Sequence, residues 1–484
     1  MPQEPASQFD QDTMHFVWNL TDACNSKCIH CVAGIEGRPP RKDLPVGEIR
    51  RMADDFHATL KSMGRNSVFC WSGGEPLIRK DVFKIIEYCA RQGYAQEMIT
   101  NGTLIDADTA QRLRDGNLEV MFISLESVNP KIHDTMRGIK GGHYQALRGI
   151  ENCKKAGLNV VANMSMTKLN YKDYHEFKHY CENTLEICLY SRFVRNQGTA
   201  CQKWEEVGLS KEEFKGAYLD IYGEMLELIR QGKATQILPM SIFDLVPLME
   251  VPRNAQDRDY LETWAGCQAC KHLLGVDVNG DVSACKYPMG YILGNMGKMA
   301  FEEIMASDLF RIIAARKSRH GRCGRCEHLG VCGGGCLLDV FSTTRDPLGE
   351  FEYCWHDSET HTHQGEQEYA EQFQANWPVE MEHLMKEVFE IVPRLFRSGA
   401  VEVTKKRAED IASEDTKTSV ERPHLARAIM DMTPVPYRKA MIEHCTSLGF
   451  DLELYGLQMP GNERRSLWES DEKSFLLNKA RSVI

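Results

Sequence analysis

Six short apolar runs rich in β-formers, at residues 16–20, 67–71, 96–100, 119–125, 159–166 and 187–194, are separated by longer segments whose apolar residues recur at three and four. Such alternation is satisfied by parallel strands joined through helical crossovers. The pattern predicts helices over 46–63, 81–92, 106–115, 144–156 and 174–185, and an α/β fold of the partial (β/α)6 barrel type. In that architecture chemistry gathers in the loops at the C-terminal ends of the strands.

The first of those loops carries Cys24, Cys28 and Cys31. Thiolates are the soft ligands that iron–sulfur clusters require. Three of them at CxxxCxxC spacing hold a four-iron cluster by three irons and leave the fourth open, as a catalytic zinc site keeps one position free. Tetrahedral zinc would need a fourth ligand, and only His30, wedged between Cys28 and Cys31, lies nearby. With a histidine before its last cysteine, the motif resembles the signature of the radical S-adenosylmethionine (SAM) superfamily.

The loops that follow extend the resemblance. Gly73, Gly74 and Glu75, ahead of Pro76, match the superfamily segment that contacts the SAM amino group. Paired glycines let backbone approach closely. The turn from Thr100 to Thr103 reads equally as the family's TNG turn or as an ordinary turn before an Asp106 helix cap. By resemblance, Ser124 and Glu126 reach the SAM ribose or carboxylate, and the D-x-x-R-G stretch from Asp134 makes Arg137 a further candidate for the carboxylate. Asn163 and Ser165 are the polar residues of the strand that flanks adenine, with satisfied core residues as the other reading.

A second cysteine field begins at Cys267. Cys267, Cys270, Cys285, Cys323, Cys326, Cys332, Cys336 and Cys354 make two sets of four, enough for two more four-iron clusters. Two all-cysteine zinc sites are the alternative. The field resembles the SPASM extension of many radical SAM barrels. That family's interleaved pattern implies Cys267, Cys270, Cys285 and Cys336 for one auxiliary cluster and Cys323, Cys326, Cys332 and Cys354 for the other, hence three [4Fe–4S] clusters and SAM as cofactors. Of the remaining cysteines, Cys70, Cys89, Cys153, Cys181 and Cys188 fall inside expected elements, where cysteine acts as a small apolar residue. Cys201 has the better claim to reactivity.

The expected organisation is a polar arm over 1–14, the radical SAM barrel over 15–232, a proline-bearing linker over 233–262, the SPASM domain over 263–357 and a mainly helical tail over 358–484. A long amphipathic helix is expected over 210–231. In the tail, apolar residues from Tyr369 to Phe396 recur at helical spacing with breaks at Pro378 and Pro393. That stripe is expected to pack on the body of the enzyme or on a partner, and the charged stretch 407–422 to be mobile. His356, His361 and His363 stand close together but without firm ligand spacing.

A formal charge of −11 argues against nucleic acid as the main ligand. No run approaches the ~20 apolar residues of a membrane span, and no basic-then-apolar segment opens the chain. Eighteen cysteines then fit metal binding in a reducing compartment, and the cytoplasm is the expected location. The resemblance implies that a 5′-deoxyadenosyl radical performs an oxidative modification of a peptide or protein, such as a thioether or C–C crosslink or a decarboxylation. A reductase or flavodoxin would donate electrons. No leader-binding module fits before Phe16, so a separate recognition protein or the tail would read the substrate. Oxidation of a small molecule, a sugar or a tetrapyrrole side chain, is the second expectation; a non-catalytic iron–sulfur carrier or scaffold is the third. In the sulfatase-maturing branch an Asp follows the cysteine of the Gly-x4-Cys turn, but here Lys286 stands there. Protonated lysine is a poor base unless its pKa is strongly lowered, which disfavours formylglycine chemistry. The catalytic base is otherwise unassigned.

Overall fold

The computed structural model describes residues 13–34, 39–230, 237–238, 267–285, 292–315, 319–326, 329–355, 376–392, 394–433 and 437–450. The six apolar runs become β1 (Thr13–Asn19), β2 (Asn66–Ser72), β3 (Ala95–Thr100), β4 (Leu118–Ser124), β5 (Val160–Met166) and β6 (Cys188–Phe193). Between them lie α1 (Val46–Ser62), α2 (Val82–Gln92), α3 (Ala107–Asp115), α4 (Pro130–Arg137), α5 (Gly142–Lys155) and α6 (Tyr174–Tyr180), the last continued by a π turn, Cys181–Leu185. β1 begins inside the stretch read as an N-terminal arm.

α1 shows how the sequence sets an element. Pro45 precedes it, Glu48 lies in its first turn, and Ile49, Met52, Ala53, Phe56 and Leu60 form its buried stripe. It stops where Gly64 takes a φ of +73° and the Arg65 N–H reaches back to the Leu60 carbonyl. Phe56 then packs on Phe16 of β1 with ring centroids 4.0 Å apart. Burying such a ring is worth about 1.5–3 kcal/mol.

The sheet extends beyond six strands. After α7 (Gly198–Gln202), α8 (Trp204–Val207) and α9 (Lys211–Arg230) comes β7 (Ile237–Leu238), then β8 (Leu273–Val276), β9 (Asp281–Ser283) and β10 (Gly294–Asn295). The spatial order is β10-β9-β8-β1-β2-β3-β4-β5-β6-β7. β8 runs parallel to β1, and β9 and β10 follow as antiparallel neighbours. The cysteine-rich region thus satisfies the open edge of β1, which would otherwise expose unpaired backbone groups. β7 sits in the stretch expected to be a linker, and the rest of 233–262 lies outside the described residues. So do Lys286, His356, His361 and His363.

The second cysteine field continues through α10 (Phe301–Met305), α11 (Asp308–Ala315), α12 (Gly321–Arg325), α13 (Leu329–Cys332) and α14 (Leu337–Thr344). Phe301 packs on both Phe56 and Phe16, at 4.6 and 5.4 Å, so this region shares the barrel's outer core.

The tail forms α15 (Val379–Val388), α16 (Arg394–Glu414), α17 (Arg422–Met432) and α18 (Arg438–Ser447). Two expectations change here. Tyr369 and Phe373 lie outside the described residues; from Trp377 to Val392 the apolar stripe packs mainly on its own neighbours, giving the tail a separate core that includes Leu384, Val388, Ile411 and Ile429. Part of the stretch read as mobile is helix, because Ala408, Ile411 and Ala412 give α16 a fully buried face despite the charges between them. No described helix is long and apolar enough to cross a membrane.

Candidate functional site

The loop after β1 holds the three N-terminal thiols, and the chain fastens that loop from four sides. Gly74 N–H donates to the Thr21 carbonyl at 2.7 Å and Glu75 N–H to the Ala23 carbonyl at 2.8 Å. A Cβ on Gly73 would lie 2.4 Å from the Thr21 oxygen, and one on Gly74 2.2 Å from the Ala23 oxygen. The close approach that these glycines permit is therefore to the thiol loop's own backbone.

On a second side the TNG turn is stitched to the same loop. Asn101 Nδ2 donates to Asn25 Oδ1 at 2.7 Å, and Asn25 Nδ2 to Thr103 Oγ1 at 2.8 Å. Glu75, fully buried, accepts from Thr100 Oγ1, the Asn101 N–H and the Leu77 N–H. Its carboxyl is pushed up by burial, against which those three donors act. Asp106 also caps α3, accepting the Thr109 N–H at 2.8 Å.

The D-x-x-R-G stretch holds the third side. Lys27 and Ile29 donate their N–H groups to the carbonyls of Arg137 and Met136. Gly138, at φ +62°, leaves no room for a Cβ, which would meet the Lys27 oxygen at 2.3 Å. On the fourth side Thr199 and Ala200 of α7 donate to the Gly34 and Cys31 carbonyls at 2.8 and 3.1 Å.

Within this cradle Cys24 accepts the Ser26 N–H at 3.4 Å and Cys31 the Gly34 N–H at 3.1 Å. Burial pushes the Cys28 thiol up to about 12, countered by the Arg137 guanidinium and reinforced by Cys31, Cys24 and Glu126. Three thiolates standing together need compensating positive charge, which bound iron supplies. The donor set, three sulfurs with two N–H···S bonds beside a guanidinium, therefore fits an iron–sulfur cluster. Among the described residues no group of three or more His, Cys, Asp or Glu side chains is arranged to hold a single metal ion.

Glu126 joins the loop to the barrel. His30 Nε2 lies 3.3 Å from Glu126 Oε1, Arg137 Nη1 3.2 Å from the same oxygen, and the Ser165 N–H donates to Oε2 at 2.8 Å. Burial alone would raise this carboxyl, but His30, Arg137 and the Ser165 amide hold it at about 2. His30 and Glu126 each stood out in the sequence, as part of the cysteine motif and as a residue just past β4; that the two meet, ninety-six positions apart, carried no local signal.

Strand register arranges the lumen in rows. Phe122, Val161 and Cys188 are paired across β4, β5 and β6, then Ser124, Asn163 and Tyr190, then Ser165 and Arg192. The lower row is apolar and the upper ones polar. Asn163 is 4% exposed and its Oδ1 has no hydrogen-bond partner among the described residues. The Arg192 guanidinium is pushed down from its ordinary value by burial, with Tyr190, Glu126 and Cys285 acting the other way. Neither Tyr190 nor Arg192 stood out in the sequence, since nothing local says which face of β6 looks inward.

In the second field Cys267, Cys270 and Cys285 stand together: the Cys270 thiol is pushed up by burial and then by the other two. Cys270 is a non-glycine residue at φ +58°, a conformation costing on the order of 1–3 kcal/mol that persists where surroundings over-determine it. Cys336 follows three glycines of positive φ, Gly333, Gly334 and Gly335, and caps α14. Buried Asp339, three residues on, pairs with Arg195 just past β6; burial pushes its carboxyl up, while Arg195 and the Cys336 thiol draw it down. Cys323 lies in α12, Cys326 directly after it, Cys332 at the end of α13 and Cys354 beyond α14. Cys201 is exposed on α7, while Cys70, Cys89, Cys153, Cys181 and Cys188 are buried.

Arg41 connects the two fields and carried no motif. Its guanidinium binds Asp22 in the thiol loop through Nε at 2.7 Å and Nη2 at 3.1 Å, and Asp277 in the β8–β9 turn through Nη1 at 2.5 Å. An Arg41→Lys variant offers one point charge where a fork is needed. It should raise amide hydrogen exchange about tenfold at residues 23–25 and 279–281, equivalent to about 1.4 kcal/mol of local opening. Unchanged exchange at both segments would show that the bridge is a surface contact of little weight.

Comparison with known proteins agrees with this geometry. A model of the radical SAM superfamily matches residues 18–181, and one of the SPASM iron–sulfur cluster-binding domain matches 267–327. The Fe-coproporphyrin III synthase of Methanosarcina barkeri is 30% identical over 344 residues, 68% of this chain and 84% of that protein. The mycofactocin maturase MftC of Mycolicibacterium smegmatis is 26% identical over 336 residues, 67% of this chain and 78% of that one. The crystal structure of Streptococcus suis SuiB bound to precursor peptide SuiA aligns with a TM-score of 0.55 at 16% identity, covering 72% of this chain and 76% of that one, a likeness of fold. Since the coproporphyrin enzyme is 30% identical over 68% of this chain and the two family models match the thiol loop and the start of the second cysteine field, the chain belongs to the radical SAM superfamily, as an enzyme with a SPASM domain.

Proposed function

We propose that this enzyme carries out a SAM-dependent radical oxidation of a tetrapyrrole carboxylic acid. The observation that carries the reading is the 30% identity to Fe-coproporphyrin III synthase over 84% of that protein. It supports the substrate class that the motifs alone ranked second. Bound at Cys24, Cys28 and Cys31, a four-iron cluster with SAM supplies a radical able to abstract hydrogen from unactivated carbon, and auxiliary clusters on the two cysteine quartets supply a sink for the second electron. The chain's part is to orient and to keep water out. Gly73, Gly74 and Glu75 lock the thiol loop, Glu126 and Arg137 set the charge beside it, and Ser124, Asn163 and Ser165 offer polar atoms to SAM. Arg192, on the lumen face, presents a guanidinium to a substrate carboxylate.

Peptide modification is the second reading, favoured by the match to the maturase MftC. It requires a peptide or protein substrate, with a leader-recognition partner or the tail to engage it; both readings require a reductase or flavodoxin. Anaerobic incubation with SAM, dithionite and a panel of tetrapyrrole carboxylates including iron-coproporphyrin III, read by mass spectrometry, separates the two. A tetrapyrrole of altered mass supports the first. A panel left unchanged, with a neighbouring-gene precursor peptide altered instead, transfers the assignment to the second.

The auxiliary quartets have their own test. Cys332→Ala should leave SAM cleavage detectable while product falls by about a hundredfold or more, beyond the 10- to 100-fold typical of losing an outer-shell partner. Product formation at the wild-type rate would remove Cys332 from electron transfer.

A further inference from the structure

The tail has its own core, yet one of its described residues leaves it. Tyr437, at the start of α18, packs into the barrel against Val120, Phe122, Val161, Cys188 and Tyr190. Its hydroxyl lies beside the Cys188 thiol, which burial pushes up and the hydroxyl draws down. Val120, Val161 and Cys188 are early residues of β4, β5 and β6, so this contact lies at the end of the barrel opposite the loop bearing Cys24, Cys28 and Cys31. The row it covers is the apolar one. Phe122 and Tyr190 meet edge to face in that region, 5.3 Å between centroids, and Cys188 is only 2% exposed.

We propose that Tyr437 closes the lower end of the barrel and sets the depth of the chamber that holds the substrate, which makes the C-terminal helical module part of the specificity machinery. An aromatic ring suits the position because it covers the apolar row with a rigid plate while its polar tip finds a partner. Above this floor the lumen turns polar within one register step, at Ser124, Asn163 and Tyr190. A substrate with a flat apolar body and anionic arms then has its body against the floor and its arms toward Arg192. This assignment rests on the lumen being the substrate chamber. The closure itself is measured without SAM or substrate, so its failure is distinguishable from failure of the functional reading.

The test is thiol accessibility. Anaerobically reconstituted protein is treated with iodoacetamide, and each cysteine is followed by peptide mapping. In the wild type Cys188 should react as slowly as Cys181, which is fully buried away from the tail, and far more slowly than exposed Cys201. Tyr437→Ala should raise the Cys188 rate about tenfold or more while Cys181 stays slow, as expected of a local opening. Tyr437→Phe keeps the plate and should restore near wild-type protection. Cys188 remaining as slow as Cys181 in the Ala variant overturns the closure. Should the Ala variant loosen the whole fold, seen as faster reaction at Cys181, the wild-type comparison still decides: Cys188 reacting as fast as Cys201 overturns it, and protection matching Cys181 supports it.

Discussion

Exchange of Cys28 for Ala should cut 5′-deoxyadenosine release from SAM and dithionite by at least about a hundredfold, since even outer-shell partners of a metal site are worth 10- to 100-fold. Iron content should fall by about four per chain, the loss of one four-iron cluster, with the second cysteine field still loaded. The size of the effect follows from the architecture. Cys28 sits between the Lys27 and Ile29 amides that are pinned to Arg137 and Met136 of α4, so the loop backbone is held in place and does not shift to offer another residue at that position. Equal release from wild type and Cys28→Ala would refute the assignment of the N-terminal thiols.

The second large effect concerns a residue with no side chain. A methyl group at Gly74 would stand 2.2 Å from the Ala23 carbonyl oxygen and 2.6 Å from its carbon. Backbone on both sides is held by hydrogen bonds, so one segment must move. Gly74→Ala is expected to destabilise the thiol loop by roughly 2–4 kcal/mol, the range reached when a special backbone site is overfilled. SAM cleavage should drop by a similar factor to Cys28→Ala, while iron at Cys267, Cys270 and Cys285 is retained. Gly47→Ala is the control, because nothing lies within 4 Å of its added carbon. If both variants load three clusters and cleave SAM alike, the cradle is more compliant than its hydrogen bonds indicate.

These two cases mark where the sequence could be read and where it could not. Alternating periodicity located β1 to β6 and the helices between them, because each element's burial follows from its own residues. The thiol motif and the glycine pair were legible for the same reason: their chemistry is contained in a few consecutive positions. β8 was missed as a partner of β1, since an edge strand's choice of neighbour depends on chain returning from more than two hundred residues away. The segment 407–414 was misread because its charges mask a narrow buried face, visible only once α17 lies against α16.

The site divides along the same line. The sequence by itself determined the thiol motif, the barrel whose loop presents it and the cysteine-rich region behind it, since residue type and strand periodicity are local properties. Only the tertiary structure decided that Glu126 answers His30, that Arg41 clamps Asp22 to Asp277, that Arg192 faces the lumen and that Tyr437 leaves its own module to cover Cys188. Each of these depends on residues distant in the chain being brought together by strand register and packing, and no short stretch of chain encodes that juxtaposition.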